Sequence, residues 1–294
     1  MRILIFILLA ACDMTPSYVD TKDIEQAVAS RSWATVCKGL EMKEERIRRY
    51  ATEQLWKTGA PAEELSCICD HIGTENGGWD PAIAEGLIGL KDDKIVGCFA
   101  DLVKNKDLPK RTEAVVALAQ TSAPIARAAL ADIATADGDV ETRARATAAI
   151  GGDPKYKDAL MSLIAHEDKT IRAAAAKGLG GHKDRPIIDA LIDLATNDKE
   201  GDVRAAALVA VKSSSASKAQ DMVCKAMLED ESPAVRSAAI RSFKGTKRES
   251  AVECLRTKAF KEETDAGVRD DLLAVLKSSP RDSAAAVLCD AIPF

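Results

Sequence analysis

Aromatic side chains are scarce in this chain: Phe, Tyr and Trp make up only 4% of its 294 residues, although 47% are hydrophobic. A chain of this length can bury a large apolar area, but the shortage of rings excludes a sheet core built on bulky side chains, so alanine and leucine must do the filling. Histidine is limited to His71, His166 and His182, and the last two fall in or beside expected turns, where a solvated imidazole is the ordinary outcome. An excess of one charge is also missing. The 41 basic and 46 acidic residues leave a net charge of -5. The signs alternate along the chain, as in KEER, DDK and KDR, so there is no electrostatic footprint for nucleic acid or anionic lipid.

The constellations of known chemistry are absent as well. The sequence has no nucleophile elbow, no phosphate loop and no HExxH zinc helix. The carboxylate pairs Asp92/Asp93 and Asp270/Asp271 are adjacent, so they point to different sides of a helix and form solvated faces. GGHKD at Gly180 to Asp184 and NGGW at Asn76 to Trp79 follow no strand and are explained as helix caps. No apolar run approaches the roughly 20 residues needed to cross a bilayer as a helix. The expectation is a protein without catalytic residues, metal or small-molecule cofactor.

What is present begins with MRILIFILLAAC: one basic residue, Arg2, an unbroken apolar run from Ile3 to Leu9, two alanines and Cys12. That order is the grammar of a secretory signal. Leu9, Ala10, Ala11 and Cys12 resemble the lipobox of bacterial lipoproteins, which implies cleavage before Cys12 and acylation of its sulfur with diacylglycerol. Two or three acyl chains, at about 0.8 kcal/mol per buried methylene, anchor a protein stably where one would not. Asp13 follows the acceptor; in enteric-type lipoproteins this implies retention at the inner membrane, but other lineages do not obey the rule and the membrane stays open. Residues 1–11 are thus expected to be a signal peptide and 12–20 a lipidated tether containing Pro16. Asp13 to Asp20 reaches at most about 28 Å, which would hold residues 21–294, the folded part, near the periplasmic side of the envelope.

From Glu44 a pattern recurs: an apolar residue, an arginine, then small and apolar residues. Copies include IRRYATEQL from Ile47, TRARATAAI from Thr142, IRAAAAKGL from Ile171, VRAAALVAV from Val203, VRSAAIRSF from Val235 and VRDDLLAVL from Val268. The recurrent arginines are Arg48, Arg111, Arg143, Arg172, Arg204, Arg236 and Arg269; from Arg111 their spacings are 32, 29, 32, 32 and 33. The 63-residue gap before Arg111 holds one degenerate copy at Ala82 to Leu90, so eight units fit the chain. Apolar or small residues at positions 0, +4, +7 and +8 mark one face of a helix, and a second amphipathic segment such as DALMSLIAH or DALIDLATN precedes each copy. Each repeat is therefore a helical hairpin. The turns HEDK, NDKEGD, ADGDVE and EDESP cap the second helix, and Pro233 falls where a first helical turn accepts proline.

A turn acid followed by a hydrophobe and an arginine resembles HEAT repeats of the short bacterial type, also found in phycobilin lyases, across Glu44 to Lys277. The resemblance implies an all-α solenoid, a superhelix of about eight HEAT-like hairpins closed by a C-terminal capping helix. It also implies a ladder of turn acids and arginines, with Asp168 and Arg172, Asp202 and Arg204, and Asp265 and Arg269 as pairs. In that family the second helices line the concave side, made here largely of Ala144, Ala173, Ala174, Ala205 and Ala238, with Lys177 and Arg241 at one equivalent position. Such a groove suits a helix or extended peptide better than a small polar substrate. His166 and Glu167 form one HE pair of the kind used by the di-iron hydroxylase built on HEAT repeats, but that family needs several pairs to hold its metal. Trp33, Trp56 and Trp79 are either interface anchors or filling for an irregular N-terminal cap.

Besides Cys12 there are Cys37, Cys67, Cys69, Cys98, Cys224, Cys254 and Cys289. Cys67 and Cys69 lie about 200° apart around a helix and face opposite neighbours. This predicts disulfides from Cys37 and Cys98 to the Cys67/Cys69 pair and another from Cys224 to Cys254, with Cys254 to Cys289 as the alternative. A CxC without paired CxxC knuckles disfavours zinc. Taken together, the sequence reads as a membrane-tethered scaffold for a protein or peptide partner. A HEAT-like lyase or enzyme-accessory protein and a cytosolic adaptor are the alternatives.

Overall fold

A computed structural model describes residues 18–61, 64–72, 86–87, 93–108, 110–121, 123–211, 217–244, 251, 254–255 and 263–277. The expectations for Cys12, Trp79, Cys289, most of the degenerate copy at 82–90 and the C-terminal capping helix lie outside these residues. Among the described residues there are α-helices and one 3-10 turn, and no strand. The chain is an α-solenoid in fold class, and it forms two compact units, Met1–Ala129 and Leu130–Phe294.

The first unit holds α1 (Thr21–Ser30), α2 (Trp33–Gly39), α3 (Glu45–Lys57), α4 (Ser66–Ile72), α5 (Asp93–Leu102) and α6 (Arg111–Leu118). Helix α1 starts at a reciprocal cap: Asp20 accepts from the backbone N–H of Lys22 and Asp23 at 2.8 and 3.0 Å, and Asp23 accepts from the Asp20 N–H at 2.8 Å. Such a cap contributes about 1 kcal/mol. Helices α1, α2 and α3 pack together around Ile24, Val36, Leu40, Ala51 and Leu55, each at most 1% exposed. Glycine is required at Gly39, where a Cβ would lie 2.9 Å from both the Ala51 Cβ and the Ile24 Cδ1.

Helix α7 (Pro124–Ala136) carries the division between the units. The second unit continues with α8 (Val140–Ala149), α9 (Lys157–Leu163), α10 (Lys169–Gly178), α11 (Arg185–Asn197), α12 (Gly201–Val211), α13 (Ser217–Glu229), α14 (Pro233–Ser242) and α15 (Ala266–Lys277). Helices α9/α10, α11/α12 and α13/α14 form hairpins. The second helices stack in the order α8, α10, α12, α14, α15, and the first helices α11 and α13 also touch.

The sequence period explains this stacking directly. Positions 0, +4 and +8 of the copies are Ile171, Ala175 and Leu179, then Val203, Ala207 and Val211, then Val268, Leu272 and Leu276, and all are at most 1% exposed. Truncating one of the large members to alanine would cost about 2–5 kcal/mol. Asp139 and Asp168 cap α8 and α10, and Pro233 opens α14. The far ends of α8 and α10 come closest: a Cβ on Gly178 would lie 3.1 Å from both the Gly151 Cα and the Leu160 Cδ2. A backbone hydrogen bond of 2.8 Å runs from the Gly152 N–H to the Gly178 carbonyl, and Gly152 itself has a φ of +75 that favours glycine.

Candidate functional site

The recurrent arginines are the most organised polar feature, and all seven donate to the backbone just before their own helix. Arg48 Nη1 reaches the carbonyls of Met42 and Lys43 at 2.8 and 2.6 Å. Arg111 Nε reaches Val103 at 2.6 Å, and Arg143 reaches Ala134 through Nε at 2.8 Å and Thr135 through Nη2 at 3.0 Å. In the later repeats Nη1 does this work: Arg172 binds the carbonyls of His166 and Glu167, Arg204 that of Asp198, Arg236 those of Asp230 and Glu231, and Arg269 those of Glu263 and Thr264. These carbonyls lie at helix ends and in turns, where no intrahelical donor is available.

Arg172, Arg204 and Arg236 also reach forward. Arg172 grips Asp198 with Nε and Nη2 at 2.8 and 3.0 Å, Arg204 grips Asp230 at 2.9 and 2.8 Å, and Arg236 grips Glu263 at 2.6 and 2.8 Å. The ladder therefore exists with other partners than the resemblance implied. Asp168 is occupied as the α10 cap, accepting from Thr170 and Ile171 N–H at 2.7 and 3.4 Å, and Asp265 accepts from the Val268 N–H at 3.0 Å. Asp202 is exposed on the first turn of α12. Because a helical side chain leans toward the helix N-terminus, each arginine comes level with the turn of the following hairpin, and that turn supplies the acid. The signal was available: each acid stands 26 or 27 residues after one arginine and six before the next.

Bidentate hydrogen bonding raises the pKa of Arg172, Arg204 and Arg236 further above the ordinary guanidinium value, against the opposing effect of burial. Burial pushes the Asp198 carboxyl up, but the bonds from Arg172 and from the Glu200 N–H more than offset it and hold it below the usual range. At Glu263 the hydrogen bonds from Arg236 dominate and hold the carboxyl low.

Cysteines link consecutive hairpins. Cys37 on α2 is bonded to Cys67 on α4, Cys69 on α4 to Cys98 on α5, and Cys224 on α13 to Cys254, with Cα separations of 5.8, 6.2 and 6.0 Å. The two thiols of the CxC segment thus serve opposite neighbours. Trp56 lies against Gly86 and leaves no room there for a Cβ, while Trp33 is half-buried on α2.

On α8, α10, α12, α14 and α15, the residue five after the recurrent arginine is exposed: Ala148, Lys177, Val209, Arg241 and Ala274. Val209 is 51% exposed, and Arg241 Nη2 lies 3.3 Å from Asp271. This row is an apolar surface carrying two cations, with no nucleophile and no general base along it. No group of three or more His, Cys, Asp or Glu among the described residues could hold a metal ion, and no described helix is long and apolar enough to cross a membrane.

A family model for HEAT repeats matches residues 128–212 and 188–277, together just over half of the chain. The chain belongs to the HEAT repeat family. Among solved structures it is similar to human deoxyhypusine hydroxylase in complex with glycerol, at 14% identity and a TM-score of 0.36, covering 87% of this chain and 98% of that one. It is also similar to the complex of CpcE and CpcF of phycocyanin lyase from Nostoc sp. PCC7120, at 16% identity and a TM-score of 0.37, covering 82% and 94%. An engineered protein matches at 19% identity and a TM-score of 0.39, covering 93% and 85%. No curated protein sequence matches.

Proposed function

We propose that this HEAT protein is a non-catalytic interaction scaffold, held at a bacterial envelope membrane by lipid on Cys12 and facing the periplasm, where it binds a protein or peptide. The observation that carries the reading is the set of three disulfides between consecutive hairpins. Bonds of this kind persist in oxidising compartments and are rare in the cytosol, so they and the lipobox support the same reading of export. The scaffold half rests on how the polar groups are used. The recurrent arginines serve the fold, and the exposed row through Lys177, Val209 and Arg241 offers apolar contact and positive charge rather than reactive groups. Repeat stacks present extended surfaces of this type to macromolecular partners.

The test is metabolic labelling with radioactive fatty acid in a bacterial host. Label is expected on the full chain and none on Cys12→Ala; an unlabelled wild type would remove the membrane half of the reading. In-cell crosslinking then addresses the partner. Crosslinks are expected at Lys177 and Arg241 and should weaken in Lys177→Glu/Arg241→Glu.

A further inference from the structure

The C-terminal halves of the second helices carry charge of one sign. On α8, α10, α12, α14 and α15 the exposed row runs Ala148, Lys177, Val209, Arg241 and Ala274, and Lys244 and Lys277 stand exposed one turn beyond Arg241 and Ala274. Among the described residues, no aspartate or glutamate lies past the midpoint of any of these helices. Lys177, Lys244 and Lys277 make no ion pair among the described residues. Arg241 Nη2 lies 3.3 Å from Asp271, but its side chain is 63% exposed. A pair so open to water holds weakly and yields to a competing carboxylate.

The row also has a spacing. These helices touch in chain order, and helices packed side by side lie about 8–10 Å apart, so equivalent residues advance by about 9 Å per repeat. Lys177 and Arg241 are then about 18 Å apart with Val209 midway. A polyproline II segment has three residues per turn and rises about 3.1 Å per residue, so it presents one face about every 9 Å. A β-strand repeats its face about every 6.6 Å, and two turns of an α-helix cover about 10.8 Å. Neither stays in step with consecutive repeats. The order of side chains selects the ligand further. Val209 is 51% exposed between the two cations, so a continuous run of phosphates would set charge against it, whereas a polypeptide can match it with an apolar side chain.

We propose that this row binds an acidic polyproline II segment of another protein, with the pattern acid, two residues, apolar, two residues, acid. One carboxylate meets Lys177, the apolar side chain meets Val209, and the second carboxylate meets Arg241 in place of Asp271. Ala148 and Ala274 leave room for the chain to continue at either end. Lys244 and Lys277 extend the positive charge along the same margin and steer an acidic partner toward it. The inference rests on the scaffold reading and gives its partner a chemistry: complementary charge selects the acids, and the repeat spacing selects the conformation.

The test uses the full chain and fluorescence anisotropy with dye-labelled peptides at equal ionic strength. The probe is Glu-Pro-Pro-Leu-Pro-Pro-Glu. One control, Gln-Pro-Pro-Leu-Pro-Pro-Gln, removes the charge, and the other, Pro-Glu-Pro-Leu-Pro-Glu-Pro, keeps the composition but brings the acids too close together. Saturable binding of the probe is expected, with both controls about tenfold weaker. Asp271→Asn removes the competing acid and should tighten the probe about twofold. Lys177→Glu/Arg241→Glu should weaken the probe about tenfold and instead take up Lys-Pro-Pro-Leu-Pro-Pro-Lys, a rescue that a misfolded variant would not give. The proposal is overturned if the probe binds no better than either control, or if the double variant prefers the acidic peptide to the basic one. Peptide failure with crosslinks at Lys177 retained in cells would refute this partner chemistry and leave the scaffold standing; loss of those crosslinks as well would refute both.

Discussion

Removing the guanidinium of Arg204 tests the ladder most directly. Its Nε and Nη2 lie 2.9 and 2.8 Å from the two carboxylate oxygens of Asp230, and the paired side chains are only 8% and 11% exposed. In Arg204→Met the Asp230 carboxylate keeps one bond, from the Ser232 N–H at 2.9 Å, and the Asp198 carbonyl loses its donor. Breaking a buried pair from one side costs about 3–5 kcal/mol, because the remaining charge stays out of water. The contact from Arg204 to Glu231 at 3.4 Å adds little, since Glu231 is 86% exposed. A stack of repeats is not obliged to unfold in one step, so the clean quantity is the coupling in a double-mutant cycle with Asp230→Asn, which retains the oxygen facing Ser232. Urea unfolding followed by circular dichroism should give a coupling of about 1–3 kcal/mol. The control is Arg145→Met, which removes an exposed i,i+4 pair with Glu141 and should cost no more than about 0.5 kcal/mol. A cycle coupling no larger than that control value would refute the ladder as a stabilising element.

Three further outcomes are expected. Because Arg236 holds the Glu263 carboxyl below its usual range, the rung is fully stabilising above the unfolded value of about 4.3 and weakens as the pH falls through the lower folded value. Glu263→Gln should therefore flatten the dependence of melting temperature on pH in that acidic window and leave it unchanged at neutral pH. Each disulfide spans 29 or 30 residues, for which chain entropy gives about 3–4 kcal/mol. Non-reducing peptide mapping should recover the pairs 37/67, 69/98 and 224/254, and Cys224→Ser/Cys254→Ser should melt earlier; free thiols at these positions would contradict the pairing. Gly178→Ala brings a methyl against Gly151 and Leu160 and should cost about 1–3 kcal/mol in thermal unfolding.

Most of the fold was legible because it rests on period. The positions marked by Ile171, Ala175 and Leu179 recur, and a helical period with a buried face leaves few alternatives to stacked hairpins. The cysteine pairing could be read for a related reason: two thiols about 200° apart on one helix must serve two neighbours. The ladder partners were not legible from a single turn. Asp168 and Asp265 look like the natural mates of Arg172 and Arg269 within their own copies, but their oxygens are taken by cap N–H groups. Asp198 and Glu263 sit one turn away in space and a full repeat away in sequence. Only the spacing between copies connects them, and composition within a copy does not.

Arginine rather than lysine fills all seven positions because the task needs a fork. Arg172 holds the His166 and Glu167 carbonyls with Nη1 while Nε and Nη2 hold both oxygens of Asp198. A lysine ammonium is a single point of charge and cannot serve a carbonyl pair and a carboxylate that lie on different sides of a planar group. The acid is less constrained, and Glu263 replaces the aspartates of the other rungs with the same two contacts. Since Arg172, Arg204 and Arg236 each tie their own turn to the next, these rungs are a nearest-neighbour coupling of the kind that governs repeat stability. The junction of α8 and α10 is the exception that fits this logic. Its repeat is the one with 29-residue spacing, and its turn carries His166 instead of an acid. Its far end is closed by the contact of Gly151 with Gly178 and by the Gly152 to Gly178 backbone bond. At this junction the close approach lies at the C-terminal ends of the two helices.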